Sequence, residues 1–520
     1  MTTDICFASQ GELVQFVFDT FGLLPRKECR DEEFDEDAKK TFQRLLSRLA
    51  KEEGLLLKNF DTAMKTFDGL LSKHMPNQRI RQLLMTVLRD LYFSYKSLIT
   101  TEGTFLPKEE TLRYFISKKA IPAFVVSLNI NSLRYRTFDM ELQTPDEFDW
   151  FLPSIRSDGS VRWPLRKVMH WIYSELGISQ TQFHYPGKSA DSDSPKLQQS
   201  LDNANNWSTG ENLPSLPALL ANYASALDNH GERLRSDQFK NSCLIALTLA
   251  RAATFIGKKL VETYGLAELQ ALADQTRSYL DCIEDDVDEF KLELKSQIEK
   301  RDYSLDGHAD WIKACTHYQR FLSYKIQAVD QTLDRLAEAS PGRPFKPEVI
   351  EALTSKYGRF AVFSRMDLRQ RQMQWKPPET FFRMLSEGFR LKNDATVTWQ
   401  RIDRYCEELR KTSVEDHLCW MEPWLRAVFC YRAEKFDDAM EYFEKAFLNA
   451  QYRAGKNQYK LVNQYVEVSA KLDKWQQFKK GVEWATYLGI QIRWIRDEKQ
   501  TDATLRNAYN ILKVANYPRL

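Results

Sequence analysis

Phe436-Asp437-Asp438-Ala439-Met440-Glu441-Tyr442-Phe443-Glu444-Lys445-Ala446 is the stretch on which the fold turns. Phe436, Ala439, Phe443 and Ala446 follow at steps of three, four and three, which puts them on one stripe of a helix. Trp475, Phe478, Val482 and Ala485 repeat that spacing 39 residues later. A stripe that mixes aromatic with small side chains needs a neighbour close enough to cover it. Upstream, Trp424, Val428 and Tyr431 stand at helical spacing between about 424 and 433, so the pattern predicts helical hairpins stacked on one another.

The second helix of this pair resembles that of a tetratricopeptide repeat, in which a small residue, an aromatic and another small residue face the preceding helix. The resemblance covers roughly residues 378 to 490. It departs from the family in two ways: the recurrence is 39 residues rather than about 34, and Glu434-Lys435 stands where the family usually turns on Gly-Asp. An earlier candidate, Ala395, Trp399 and Ile402, lies 44 residues upstream, so the repeats are degenerate. The resemblance implies a groove that receives a peptide or helix of a protein partner.

Composition points the same way. At 520 residues the chain is long enough for about three domains or one extended solenoid. Only 19 glycines and 18 prolines suit long helices better than turn-rich β structure, and the fold class expected is all-α. Lys and Arg number 74 against 72 for Asp and Glu, so net charge steers the chain toward neither nucleic acid nor a membrane surface. The longest apolar stretch, from Ala120 to just past Val126, is too short to span a bilayer. Eight cysteines without close pairing sit mostly in apolar helical patterns, as reduced thiols of a cytoplasmic protein would.

Four segments are expected: an N-terminal helical domain at 1–183, a polar loop or border at 184–217, a central long-helix hairpin domain at 218–345 and a helical-repeat domain at 346–520. Amphipathic helices are read at about 10–22, 33–52, 57–73 and 77–99. Residues 120–143, with Phe124, Val125, Val126, Ile130 and Tyr135 among few helix formers, read as an irregular packed connection, with one or two short strands as the alternative. The border, rich in Ser, Asp, Asn, Pro and Gly, reads as a mobile loop. Leu280, Ile283, Val287, Phe290, Leu294 and then Leu322, Ile326, Val329, Leu333, Leu336 alternate three and four, the seams of a long antiparallel hairpin.

Candidate chemistry is thin. Arg301, followed by His308 after six residues, resembles the Arg-x4-6-His motif of the HEPN family of all-α ribonucleases; the resemblance implies a phosphate-binding Arg and a proton-transferring His. Gly177-Ile178-Ser179, with Trp207-Ser208-Thr209-Gly210 and Pro214-Ser215, resembles the phage-repressor type of helix-turn-helix across 162–227. That resemblance implies a recognition helix within 188–206, yet Lys188 and Lys196 are outnumbered there by Asp191, Asp193 and Asp202. The most basic stretch, 355–391, interleaves Arg359, Arg365, Arg369, Arg371 and Lys376 with Tyr357, Phe360, Phe363 and Trp375, a pattern that suits phosphates and stacked bases of DNA or RNA. Cys315 and His317, like His417 and Cys419, are two apart and point away from a common ion on a helix, so neither a metal site nor a cofactor is expected. No phosphate loop, dinucleotide fingerprint, nucleophile elbow or zinc-protease motif is present. The leading expectation is a non-catalytic adaptor or scaffold, with Tyr431, Tyr442 and Trp475 as partner anchors. A nucleic-acid-binding subunit and a HEPN-like ribonuclease are the alternatives.

Overall fold

Helices carry almost all of the described chain, and the all-α reading holds. The computed structural model describes residues 10–22, 44, 56–74, separate positions between 78 and 126, 144–145, 149–185, 195–230, 236–301, 308–339, 344–374, 378–492, 495 and 501–515. The helix read at 33–52 and the residues between 127 and 143 lie outside these, apart from single positions.

The N-terminal part is built around one long helix. It contains α1 (Gln10–Phe21), α2 (Leu56–His74), a two-stranded ribbon of β1 (Ser154–Ile155) and β2 (Val161–Arg162), α3 (Pro164–Leu176), α4 (Gln180–His184), α5 (Pro195–Thr209), α6 (Leu216–His230) and α7 (Asp237–Tyr264). Helix α7 packs against α1, α3 and α6. Its buried Arg251 donates hydrogen bonds to the carbonyls of Asp19 at 2.9 Å and Thr20, which the end of α1 leaves without helical partners, and to that of Pro214 at 2.8 Å. Thr254, also on α7, accepts the backbone N–H of Leu165 in the first turn of α3 at 3.1 Å.

The fold departs from the sequence expectation in two places. The stretch 184–217 is not a loop throughout: Leu197, Ala204 and Trp207 at helical spacing bury one face of α5 under α3 and α4, a weak stripe masked by its polar neighbours. Residues 115–122 and 124–126 are helical, with a wide turn at Ile116–Ala120, rather than an irregular connection. The only strands among the described residues lie farther on. They pair antiparallel as Ser154 with Arg162 and Ile155 with Val161 across an Asp158-Gly159 turn, whose aspartate accepts the Ser160 N–H at 2.8 Å.

The centre holds α8 (Leu266–Arg301), α9 (His308–Ala339), α10 (Pro347–Tyr357) and α11 (Arg359–Gln374). Helix α11 packs on both long helices, and Lys325 of α9 reaches Asp286 at 2.8 Å and Glu289 at 2.6 Å on α8. Buried Cys243, Cys282, Cys406 and Cys430 are free thiols. No helix among the described residues is long and apolar enough to cross a membrane.

The C-terminal part is α12 (Glu379–Asn393), α13 (Trp399–Arg410), α14 (Met421–Arg432), α15 (Phe436–Ala450), α16 (Gln458–Lys471), α17 (Trp475–Leu488) and α18 (Asp502–Val514). Helices α14 with α15, and α16 with α17, form the most intimate pairs. The stripe residues Ala439, Phe443, Ala446, Phe478, Val482 and Ala485 are all fully buried in these contacts. Each phenylalanine so buried contributes about 1.5–3 kcal/mol. Gly481 marks the closest approach: a Cβ there would stand 2.6 Å from Val466 and 2.8 Å from Tyr465 on α16.

The 39-residue recurrence extends to the backbone. Glu434 and Asp473, the hinge residues of the two hairpins, both have φ near +60°. Lys435 N–H returns to Cys430 O at 2.9 Å, and Lys474 N–H to Ser469 O at 2.8 Å, the same helix-closing bond in each hairpin. An apolar core without a break runs from Phe18 through Cys243, Leu322 and Trp424 to Leu512, across all four sequence segments.

A side chain at positive φ costs about 1–2 kcal/mol relative to glycine. Glu434 is exposed and its side chain has no hydrogen bond or ion pair among the described residues, so Glu434→Gly stabilises the protein by about 1 kcal/mol in urea unfolding. Asp473→Gly gives no such gain, because Asp473 accepts from Tyr509 at 2.7 Å and pairs with Lys513 at 2.8 Å. Gly481→Leu destabilises by about 1–3 kcal/mol through overpacking of α16 against α17, read as a lower urea midpoint.

Candidate partner-binding surface

The first helix of each C-terminal hairpin lies beside the next: α12 packs on α14, and α16 on α18. Between α12 and α16 sits Trp424 of α14, fully buried. The ring of Phe389 meets it edge-on at 5.8 Å, Trp420 lies 5.8 Å away, and its indole N–H donates to Gln464 of α16 at 2.8 Å. A buried tryptophan needs such an acceptor. Over the ring, 5.0 Å from its centre, lies the ammonium of Lys392 from α12.

Lys392 is 1% exposed. Burial, with the Lys460 and Arg432 charges nearby, lowers its pKa to about 7. Arg432, in the last turn of α14, donates to Lys392 O at 3.0 Å and Asp394 O at 2.9 Å, closing the end of α12. Asp394 accepts from the Thr396 N–H and hydroxyl and pairs with Arg401 at 2.7 Å, which holds its carboxyl down at about 2.

Exposed apolar side chains gather on the same hairpins. Phe382 of α12 is 49% exposed and Tyr459 of α16 is 41% exposed; Phe436 and Leu448 of α15 and Ile511 and Val514 of α18 are also open. These are six of the ten large apolar side chains exposed among the described residues, so the surface bias toward this part of the chain is marked. A shallow groove between α10 and α11, lined by Pro347, Ile350, Thr354 and Phe363, offers no cluster of charged groups.

The anchors read from the sequence lie elsewhere than in the open. Tyr431 is half-buried, edge-on to Phe436 at 5.5 Å, and Tyr442 is half-buried, 6.3 Å from Trp399. Trp475 is half-buried under Arg506, whose guanidinium is 3.8 Å from the ring centre, with Tyr509 edge-on at 5.0 Å. All three brace neighbouring helices.

The arginines of the basic stretch whose side chains are described are paired with carboxylates, most of them at the surface. Arg359 pairs with Asp285 at 3.3 Å, and Arg365 grips Asp330 with two bonds, one of 2.7 Å. Arg383 pairs with Glu408, and Arg390 with Glu387 at 2.6 Å. Phe360 is core. Arg369 and Arg371 lie on α11, but their side chains, and all of Lys376, fall outside the described residues. Arg301 ends α8 and His308 begins α9; the side chains of both, and the six residues between, fall outside them too.

In the segment read as helix-turn-helix, α4 is only five residues long. Its His184 is buried, 3.1 Å from the Tyr173 hydroxyl and edge-on to Trp207 at 4.8 Å. Burial holds that imidazole down at about 4, so it is neutral and packs as core.

No family model, curated protein or solved structure matches the chain.

In the sequence Trp424 stands out only as a helix marker, and Lys392, Gln464 and Lys460 belong to no motif. One signal was available. Phe381, Met384, Leu385, Gly388 and Leu391 follow a helical stripe whose next position is Lys392, a charge where an apolar side chain belongs.

Lys392 titrates near 10.5 in the unfolded chain and near 7 in the fold. Between those values the unfolded chain holds a proton that the fold does not, so this group makes stability rise with pH across the interval, and its penalty is full below neutrality. Lys392→Met therefore stabilises most at and below pH 7, and its advantage disappears toward pH 10.5. Urea unfolding of both proteins across that range checks it; a pH-independent difference would contradict the assignment.

Proposed function

We propose that this chain is a non-catalytic adaptor or scaffold that holds a protein partner on its C-terminal hairpin stack, residues 379–515. The observation that carries the reading is the concentration of exposed large apolar side chains there, with Phe382 on α12 and Tyr459 on α16, the first helices of two hairpins on either side of α14. Contiguous helices with open aromatics suit an extended or helical segment of another protein, since aromatic side chains supply large contact area at low entropic cost. The recurrence of hairpin, hinge and stripe at 39 residues supports a tetratricopeptide-like stack as the scaffold of that surface. Free buried thiols suit a cytoplasmic setting.

The nucleic-acid alternative loses support because Arg365 already holds a carboxylate with two bonds in a partly buried pair that a phosphate would have to displace. The ribonuclease alternative has no described side chain to stand on.

The test is co-purification from the native host at moderate salt, with half the sample treated with nuclease. The reading expects a stoichiometric protein that survives nuclease, and a loss of about tenfold or more in its affinity for the double variant Phe382→Asp, Tyr459→Asp, both changes being at exposed positions. Recovery of nucleic acid alone, or full partner retention by the double variant, would overturn it.

A further inference from the structure

We propose that the seat of α18 on α16 and α17 is a helix-docking site, which this chain fills with its own segment and which a partner's helix of the same pattern takes by displacing α18.

The contacts under α18 differ from those inside the hairpins. Helices α14 with α15, and α16 with α17, meet through fully buried alanines, a glycine and aromatics. Helix α18 meets the stack through aromatic anchors inside a charged rim. Tyr509 lies edge-on to Trp475 and to Phe478, 5.0 Å from each, and Leu505 and Leu512 are buried on either side of it along the helix. Arg506 covers the Trp475 ring at 3.8 Å, Asp502 pairs with Lys479 at 3.3 Å, and Lys513 pairs with Asp473 at 2.8 Å. Tryptophan, tyrosine and arginine anchors ringed by charge are the anatomy of an interface between proteins rather than of a helical core. The two ion pairs lie at the surface, where such pairs contribute little.

The chain also gives α18 room to leave. Helix α15 follows α14, and α17 follows α16, across the tight hinges 433–435 and 472–474, whereas α18 follows α17 only after 489–501. Few large apolar side chains hold α18 down, and they must offset the entropy of ordering the whole helix. Ile511 and Val514 are exposed on it, whereas an element that only closes a stack of hairpins carries a polar outer face.

The segment now in place specifies the occupant. Leu505, Tyr509 and Leu512 fall at i, i+4 and i+7, the anchor spacing of a helix lying in a groove. An acidic residue three positions before the first anchor meets Lys479, and a basic residue directly after that anchor covers Trp475. The partner's segment is therefore an amphipathic helix with this anchor spacing, acidic at its start and basic beyond. The inference deepens the adaptor reading and rests on it, since it names the kind of segment the stack receives.

The test uses the full chain and a fluorescently labelled peptide of residues 501–515, read by anisotropy. In the wild type the tethered helix competes at high effective concentration, and the peptide binds weakly. Leu505→Ser with Leu512→Ser loosens α18 and leaves its seat intact, so this variant binds the peptide at least about tenfold more tightly, and adding Trp475→Ala removes the gain. Hydrogen exchange on the wild type needs no substitution: the amides of α18 exchange at least about a hundredfold faster than those of α16, in a step that leaves α16 protected. Equal peptide binding by the wild type and the loosened variant, or exchange of α18 and α16 in one step, would overturn the proposal. Failure of the adaptor reading looks different, because co-purification then recovers no stoichiometric protein. A partner lost by Phe382→Asp, Tyr459→Asp but held at unchanged affinity by the loosened variant keeps that reading and overturns this one.

Discussion

Trp424 cannot be buried without bringing three helices together. Its ring is covered by Phe389 from α12 and by Trp420 from its own helix, and its N–H must find an acceptor in a region without water. Gln464 supplies it from α16 at 2.8 Å. A second pair of the same kind sits on the same helix: Trp484 of α17 donates to Gln458 at 3.1 Å, and the amide of Gln458 passes a hydrogen bond to Ile99 O in the N-terminal part, also at 3.1 Å. Two tryptophan–glutamine pairs thus make α16 the element on which the stack and the N-terminal helices both lean. Tyr92 and Lys96 complete that contact from the N-terminal side, both against Tyr487.

Because α14 and α16 are buried on most of their circumference, their hairpin partners must approach closely. That is the physical use of Ala439, Ala446 and Ala485, and of Gly481, where even a methyl group meets Val466 and Tyr465. The hinge then has little room to vary. Glu434 and Asp473 adopt the same left-handed conformation although neither is glycine, which shows tertiary packing overriding a local backbone preference. Farther up the chain the same closeness is reached with charge: Lys325, Arg359 and Arg365 tie α8, α9 and α11 to one another. Side chains that look available to a polyanion in the sequence are structural cross-links in the fold.

What the sequence made legible was local. The stripe from Phe436 to Ala446 and its echo at Trp475 are periodic over single helices, so the all-α class, the hairpins and burial at six of the eight stripe positions followed from spacing alone, while Phe436 stays open and Trp475 half-buried. What it hid was pairing at long range. Asp285 and Asp330 lie 74 and 35 residues from the arginines they hold, and no period links them. Helix α5 was hidden because only Leu197, Ala204 and Trp207 mark its inner face among serines, asparagines and glutamines. Tyr431, Tyr442 and Trp475 read as open anchors because their half-burial depends on Phe436, Trp399 and Arg506, each on an adjoining helix or turn.

Lys325 and Lys392 bring the local and the global accounts into one comparison. Both interrupt apolar stripes and both are buried, at 5% and 1% exposure. For Lys325, burial lowers the pKa, but the bonds to Asp286 and Glu289 outweigh it, and the net direction is upward. The charge is kept because the fold provides two carboxylates. For Lys392 burial acts in the same direction and nothing opposes it; its charged neighbours, Lys460 and Arg432, add to it. The same side chain at similar depth therefore ends as a paired cation in one place and as an amine poised near neutrality in the other. A methionine would fill the second position at lower cost, so the conflict between local pattern and buried charge is concentrated where the chain has the least structural reason for it.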